Sequence, residues 1–142
     1  MKLAAVLAAK GSRVYTVRPE VSVREAVAEL AANNIGALII CDRPGAPVGI
    51  VSERDVIRRM NIDDGVLDAP ISELMTSPVI LGTSNDDLDS VLRTMTDRRF
   101  RHLPVVDDGE LVGMVTIGDL VKAQLAEFRG AVATLETRLM DD

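Results

Sequence analysis

Two short stretches of the sequence pair a hydroxyl side chain with a carboxylate three residues later. The first is VGIVSERD, with Ser52 and Asp55, and the second is VGMVTIGD, with Thr116 and Asp119. Each pair follows an apolar run that contains a glycine, which leaves room for the close approach of backbone or ligand. The pattern is typical of a strand that ends and a helix that begins, because a Ser or Thr at a helix start accepts from free backbone N–H groups.

The two pairs admit two interpretations, which are not exclusive. In the first they are helix caps only, with the acid in the first turn, where the macrodipole favours a negative charge. In the second the free N–H groups of the helix bind a phosphate, the hydroxyl donates to a phosphate oxygen, and the carboxylate accepts from the two neighbouring hydroxyls of a ribose. The motif alone favours capping, but a junction that caps its helix can still face a cleft.

A basic pair, Arg101 and His102, lies directly before the apolar strand LPVV, where the first half of the chain has Gly and Ala. We expect this pair to give charge-assisted hydrogen bonds to an anion, so that the cleft of the second half binds phosphate more tightly. The first half lacks that charge and depends on Arg54 or Lys10. For the neighbouring Arg98, a solvated helix end is explanation enough.

No residue pattern indicates catalysis. The sequence holds one His and one Cys, with no H-x-x-x-H, C-x-x-C or G-x-S-x-G arrangement. Cys41 ends an apolar strand and is expected to be a small buried hydrophobe. We therefore expect a protein that is not an enzyme and requires neither a metal nor a cofactor.

The elements that must position these side chains are repeated. Displacing the sequence by 65 positions aligns the first half with the second, and one extra residue in a loop changes the offset to 64. At the latter offset Ser52 meets Thr116 and Asp55 meets Asp119. A single insertion across nearly the whole repeat indicates a duplication.

Each copy predicts the order β-α-β-β-α. The first strands are residues 14–17 and 78–81, and the helices that follow begin at a Ser22–Glu25 capping box and at Ser84. One repeat of this size buries too little apolar surface alone. We therefore predict an α/β (α+β) fold in which the two repeats pack as a pseudo-two-fold sandwich, with clefts where strand ends of the two copies meet.

Bulk properties narrow the class of protein. The net charge of −6 over 142 residues disfavours nucleic acid and anionic membrane surfaces as partners. No apolar stretch is long enough to span a membrane, and the start, MKLAAVLAAKG, is interpreted as a short amphipathic helix. One cysteine cannot form an internal disulfide, so a cytoplasmic location is expected.

The second half, SPVI…FRHLPVVDDGELVGMVTIGDLV, closely resembles the second motif of a cystathionine-beta-synthase-type (CBS) domain pair, or Bateman module. The first half, VYTVRPEVSVREAVAELAANNIGALIICD…VGIVSERDVI, is similar to the first motif. The resemblance implies a regulatory module of the small bacterial stand-alone type that binds AMP, ADP, ATP, NAD or S-adenosylmethionine. It divides the chain into a first motif with an N-terminal helix (1–60), a linker (61–70), a second motif (71–126) and a C-terminal helical extension (127–142).

The resemblance also implies which residues contact the ligand. The hydroxyl–acid pairs match the family's ribose and phosphate positions, and the first strands and the starts of the second strands match positions that hold adenine through backbone groups. The predicted cleft of the first motif consists of Lys10, Val14, Thr16, Ala37, Ser52, Arg54 and Asp55. The predicted cleft of the second motif consists of Val79, Leu81, Arg101, His102, Leu103, Pro104, Thr116 and Asp119.

The last part of the sequence carries a heptad pattern. Apolar residues separated by 4, 3, 4, 3 and 4 positions are Val121, Leu125, Phe128, Val132, Leu135 and Leu139. Such a seam packs against another helix or surface. It either lies back on its own domain or pairs with the same helix of a second chain, and since CBS pairs commonly form two-fold dimers we expect a homodimer.

Two functions of different classes remain. The first is a regulatory module that binds an adenine nucleotide between two CBS motifs and signals to a separate, unidentified effector protein. The second is a structural or adaptor dimer whose clefts are empty or degenerate, so that the hydroxyl–acid pairs serve only as caps.

Overall fold

Both halves of the chain carry the repeat. The computed structural model describes residues 1–141. The elements before and within the first copy are α1 (Leu3–Lys10), β1 (Thr16–Val17), α2 (Val23–Asn33), β2 (Ala37–Arg43), β3 (Ala46–Ser52) and α3 (Glu53–Met60). Two 3-10 turns, Val66–Asp68 and Ile71–Glu73, precede the second copy, which consists of α4 (Leu88–Arg98), β4 (His102–Asp107), β5 (Glu110–Thr116) and α5 (Ile117–Asp141).

The first helix of the first copy begins where the sequence predicts. Ser22 is the N-cap of α2, and its Oγ accepts a hydrogen bond from the backbone N–H of Glu25 at 3.1 Å. The apolar face of the helix is buried, as its spacing predicts. Asn34 ends the helix in the left-handed conformation, with φ of 52°, which a short polar side chain tolerates.

Two predictions for the second copy are wrong in detail. Residues 78–81 form no strand in the described chain, and pairing there is a single parallel bridge from Gly82 to β4. Pro78 has no N–H to offer to a ladder. Ser84 does not begin α4, because its N–H donates to the carboxylate of Asp107 at 3.0 Å and holds it outside the helix. The N-cap is Asp87, three residues later.

The strands form two small sheets. In the first, β1 pairs parallel with β2, which pairs antiparallel with β3; in the second, β4 pairs antiparallel with β5. β1 is two residues long rather than the predicted four. The register preserves the repeat, since Ala37 lies opposite Ser52 in one sheet as His102 lies opposite Thr116 in the other.

Each copy has its own buried core, and the segment that precedes one copy packs into the core of the other. Leu3, Val6 and Leu7 of α1 are buried with α4, β4 and β5. Val66 and Ile71, from the segment between the copies, are buried with α2, β2 and β3. The predicted polar linker therefore contributes to a core. We call residues 1–10 and 66–75 the leader segments of the first and second copies.

A glycine in each hairpin lets a leader segment approach the sheet. A Cβ on Gly113 would lie 2.7 Å from a methyl carbon of Leu7, and a Cβ on Gly49 would overlap the sulfur of Met75. Close approach of another segment therefore explains both glycines that the sequence singled out.

The first sheet is covered on both sides. Leu38 and Ile40 of β2 lie in the core of the first copy, and the alternate residues Ala37, Ile39 and Cys41, which project from the opposite face, are buried as well. β3 contacts β5 of the other copy. The predicted burial of Cys41 is confirmed, and it raises the pKa of the thiol. The predicted sandwich of two repeats is confirmed.

The last helix continues far beyond the second copy. Its first turns pack on the second core through Leu120, whereas every residue from 124 to 140 is exposed. The predicted C-terminal helical extension is thus part of α5. Among the residues described here, no helix is both long and apolar enough to cross a membrane.

Candidate functional site

The two hydroxyl–acid pairs form reciprocal caps at the starts of α3 and α5. The N–H of Asp55 donates to Oγ of Ser52 at 3.2 Å, and the N–H of Ser52 donates to Oδ2 of Asp55 at 2.8 Å. In the second copy the N–H of Asp119 donates to Oγ1 of Thr116 at 3.0 Å, and the N–H of Thr116 donates to Oδ2 of Asp119 at 2.9 Å. Both pairs therefore cap their helices.

Ser52 and Asp55 also face a cleft of about 580 Å³, which we call the Asp55 cleft. One wall belongs to the first copy and is formed by the end of β3 and the start of α3. The other belongs to the second copy and includes Val79, Ile80 and the residues that enter β4. The volume lies within the range of small-molecule sites, and at this junction the two residues both cap the helix and face a cleft.

Positive charge predominates in the Asp55 cleft. Four arginines line it: Arg54, Arg58, Arg99 and Arg101. None of the four pairs with a carboxylate within residues 1–141. Only two acids, Glu53 and Asp55, line the cleft, so four positive against two negative side chains leave a surplus of two positive charges. Unpaired guanidinium groups beside a helix N-terminus favour an anionic ligand.

His102 lies half-buried in the same cleft. Burial lowers the pKa of its imidazole below the usual value, the carboxylate of Glu53 opposes this shift, and the guanidinium of Arg101 adds to it. A Cβ on Gly36 would lie 3.6 Å from Nε2 of His102, an ordinary contact distance, so the ring lies directly beside the backbone of the first copy. The imidazole is neutral at neutral pH and can gain a proton beside an anion.

The second hydroxyl–acid pair is closed by a lysine from α1. The Nζ of Lys10 donates to Oδ2 of Asp119 at 2.5 Å and to the carbonyl oxygen of Met114 at 2.8 Å. Burial alone would raise the pKa of Asp119, but the hydrogen bonds from Lys10 and Thr116 outweigh it and lower that pKa. The carboxylate of Asp119 is therefore ionised and already neutralised by the chain itself.

The two copies thus differ in the charge that lies beside the carboxylate of the hydroxyl–acid pair. At the offset of 65 residues, the counterpart of Lys10 is Met75, which carries no charge. Within residues 1–141, Asp55 makes no ion pair, whereas Asp119 pairs with Lys10. Of the two carboxylates, only that of Asp119 is neutralised by an ion pair within the described chain.

The predicted site residues are grouped differently in the structure. The sequence-based prediction placed Lys10 with Asp55 in one cleft and Arg101 with Asp119 in the other. In the structure Asp55 shares its cleft with Arg101, and Lys10 contacts Asp119. Lys10 ends the leader segment that packs on the second copy, and this brings its ammonium group to Asp119. Arg101 lies outside both leader segments and reaches the Asp55 cleft because the second copy packs against the first.

The remaining predicted residues are distributed over several places. Arg54, Val79 and His102 line the Asp55 cleft. Leu81 and Leu103 instead line a neighbouring groove of about 410 Å³ beside α4.

Besides Lys10, Thr116 and Asp119, four more predicted residues line neither cavity. Ala37 is buried at the start of β2, Thr16 is exposed on β1, and Val14 is half-buried before it. The carbonyl of Pro104 accepts the N–H of Gly82 at 2.9 Å, so this proline contributes a backbone bond between two segments of the second copy.

Some cleft residues were absent from the sequence-based prediction. Arg58 follows Arg54 by one helical turn, so helical spacing places both on one face of α3, and this signal was present in the sequence. Thr76 and Phe100 also line the cleft but had no comparable signal. They reach it only through the packing of one copy against the other.

Comparison with known proteins agrees with the repeat. The chain matches the CBS domain model twice, over residues 11–62 and 71–126. It is 31% identical to the CBS domain-containing protein YhcV of Bacillus subtilis over 124 residues, which are 87% of this chain and 88% of that protein. The crystal structure of the CBS-domain containing protein ATU1752 from Agrobacterium tumefaciens shares 38% identity, with a TM-score of 0.83, over 87% of this chain and 99% of that chain.

Two similar structures contain adenosine derivatives. The CBS domain protein PAE2072 from Pyrobaculum aerophilum, complexed with AMP, is 30% identical, with a TM-score of 0.72, over 84% of this chain and 89% of that one. The CBS domain pair of protein MJ0100 is in complex with 5′-methylthioadenosine and S-adenosyl-L-methionine. It is 27% identical, with a TM-score of 0.79, over 89% of this chain and 98% of that one. The duplicated fold and the two matched regions show that this chain is a tandem CBS domain pair and belongs to the CBS domain family.

Proposed function

We propose that the chain is a regulatory module that binds an adenine nucleotide in the Asp55 cleft and signals its occupancy to a separate effector protein. The observation that carries this proposal is the group of four unpaired arginines beside the capped start of α3. The AMP complex of PAE2072 and the S-adenosylmethionine complex of MJ0100 support an adenosine moiety as the common part of the ligand.

Each wall of the cleft has a role in this proposal. Oδ2 of Asp55 accepts the N–H of Ser52, which leaves Oδ1 to accept from ribose hydroxyls. The arginines and His102 contact the phosphates, and the free N–H groups at the start of α3 add to this field. Val79 and the apolar side chain of Ile80 lie on the other wall, where they provide backbone groups and a surface for the base.

The charge of the cleft distinguishes among the candidate ligands. S-adenosylmethionine carries a sulfonium cation, which the four arginines repel, whereas AMP, ADP, ATP and NAD carry phosphates, which the arginines attract. We therefore expect the phosphate-bearing ligands to bind more tightly than S-adenosylmethionine and than adenosine. We also expect one ligand per chain, because a second ligand at Asp119 must displace Lys10.

Titration calorimetry with AMP, ADP, ATP, NAD, S-adenosylmethionine and adenosine tests this proposal. The double variant Arg101→Ala, His102→Ala removes two groups assigned to phosphate and is expected to weaken AMP binding by tenfold or more. Arg93→Ala is the matched control, because Arg93 is exposed on α4 and lines neither cavity. Unchanged AMP affinity in the double variant refutes the phosphate assignment.

A second variant separates the ligand role of Asp55 from its capping role. Asp55→Asn keeps an oxygen that accepts the N–H of Ser52 but loses the charge. We expect weaker nucleotide binding with a nearly unchanged melting temperature. Mass spectrometry of the small molecule that copurifies with the protein identifies the natural ligand.

The alternative is a structural or adaptor protein with empty clefts. The reciprocal caps favour it, because capping alone accounts for both hydroxyl–acid pairs. In that case no adenine ligand changes the melting temperature, and Asp55→Asn affects stability only. Binding of any one of the six compounds at micromolar concentration excludes this alternative.

A further inference from the structure

From Leu125 onward, the apolar seam of α5 is left exposed by the rest of the described chain. Gln124 still donates to Asp89 of α4 at 3.0 Å, but every residue from 125 to 140 is exposed, so this part of the helix does not lie back on its own domain. Phe128 is 65% exposed and Leu135 is 58% exposed. An isolated helix of this length is marginal in water, and an apolar stripe of this kind is normally buried against a partner. The seam therefore requires an occupant.

We propose that the seam packs against the same segment of a second copy of this chain, with the two helices antiparallel. The apolar residues are spaced symmetrically about Gly130. The pairs equidistant from Gly130 are Val121 with Leu139, Leu125 with Leu135, and Phe128 with Val132. In an antiparallel pair centred there, each apolar side chain meets its apolar counterpart from the partner, and the two-fold axis repeats every layer.

The layers are complementary in size as well as in polarity. At the centre the large side chain of Phe128 faces the smaller Val132 of the partner subunit, an alternation that fills the space between two helices. The first residue of the seam is also accessible, because the side chain of Val121 is 39% exposed where α5 leaves the domain. The last layer of a partner helix can therefore reach it.

Charged residues beside the seam favour the antiparallel orientation. Lys122 and Glu136 each directly follow a seam residue on the same side. In the antiparallel pair Lys122 lies beside Glu136 of the partner subunit, and the symmetry gives this attraction twice. In a parallel pair Glu136 would face Ala131 of the partner subunit, and no ion pair would form there. One contact opposes the arrangement, since the two Arg129 side chains approach each other near the centre.

The pairing predicts a specific pattern of disulfide trapping. Leu125→Cys and Leu135→Cys are prepared as two full-length variants, one carrying a fusion tag so that the products differ in mass. We expect a mixture to form a linked heterodimer on mild oxidation, whereas neither variant links to itself efficiently. The unsubstituted chain is the control, because its one cysteine, Cys41, is buried. Efficient self-linking of each variant, or no linking in the mixture, overturns the proposal.

Charge reversal tests the same pairing without a cysteine. Lys122→Glu and Glu136→Lys are each expected to weaken dimerisation about tenfold in sedimentation equilibrium, because two attractions become two repulsions. The double variant restores the original affinity. Glu127→Lys is the control, because residue 127 lies on the helix face away from the seam. Failure of the double variant to restore dimerisation overturns the proposal. AMP affinity, which belongs to the Asp55 cleft, remains unchanged in all of these variants.

Discussion

The ammonium group of Lys10 lies 2.5 Å from the carboxylate of Asp119, across 109 residues of sequence. This ion pair connects the end of α1 to the start of α5. It occupies the position at which the other copy leaves Asp55 without a cation in the described chain. One duplicated motif has therefore become a contact within the protein, and the other has stayed open towards a cleft.

Removing the lysine should lower stability. Lys10→Met deletes the ammonium but keeps most of the side-chain length, and it leaves a partly buried Asp119 without its cation. We expect a loss of about 1 kcal/mol in the free energy of unfolding, measured by urea denaturation. The control is Arg24→Met, which breaks the exposed pair of Arg24 with Asp68 and should cost less. Equal losses in the two variants would contradict a special role for Lys10.

Stability should depend on pH through Asp119. Its pKa in the folded protein is lowered, so the unfolded chain takes up this proton at a higher pH than the folded chain. The contribution is therefore complete above the unfolded pKa, which is about 3.9, and it is lost as the pH falls through the folded value. The difference in unfolding free energy between the native chain and Asp119→Asn should stay constant from about pH 7 to 5 and shrink below about pH 4. If the difference in unfolding free energy between the two chains stays the same at acidic pH, the prediction is wrong.

Nucleotide binding should strengthen as the pH falls towards the pKa of His102. Burial lowers that pKa in the free protein, and a bound phosphate raises it, so binding takes up a proton. AMP affinity, measured by calorimetry from about pH 8 to 6, should rise by up to about tenfold per pH unit relative to His102→Gln. Adenosine, which has no phosphate, serves as the control and should show no such difference. Parallel pH profiles for the native chain and His102→Gln would rule the prediction out.

A methyl group at Gly113 should destabilise the second copy. Its Cβ would lie 2.7 Å from a methyl carbon of Leu7, inside the contact between β5 and α1. We expect Gly113→Ala to cost about 1–3 kcal/mol in urea denaturation, as overpacking in a core does. Leu7→Ala in the same chain should recover part of the loss. The control is Gly130→Ala, which has nothing within 4 Å of its added methyl and should stabilise the helix. Additive losses at Gly113 and Leu7 would contradict a direct collision.

The repeat made most of the architecture predictable from the sequence. The alignment of Ser52 with Thr116 identified both strand-to-helix junctions, and the structure shows both as caps. The cap at Ser22 and the burial of Cys41 follow from local patterns and are confirmed. The prediction failed at residues 78–81, where Pro78 has no N–H for a ladder, and at Ser84, whose hydrogen bond to the distant Asp107 overrides local propensity.

The grouping of site residues was not predictable in the same way. Local patterns identify candidate residues but do not determine which copy a segment packs against. Lys10 is adjacent in sequence to the first copy, yet it contacts Asp119 of the second. Arg101 lines the cleft of Asp55 because the second copy packs against the first. Only the three-dimensional packing of the leader segments and of the two copies decides these pairings.

That exchange of leaders also sets an order of events during synthesis. The first copy finds Val66 and Ile71 within about twenty residues of its own last strand. The second copy needs Leu3 and Leu7, which leave the ribosome about a hundred residues before β5 does. We expect amides of α1 and β5 to gain protection in the same step in pulse-labelled hydrogen exchange during refolding. On this expectation α1, although it is translated about a hundred residues before β5, keeps its apolar face exposed until the β4–β5 hairpin emerges.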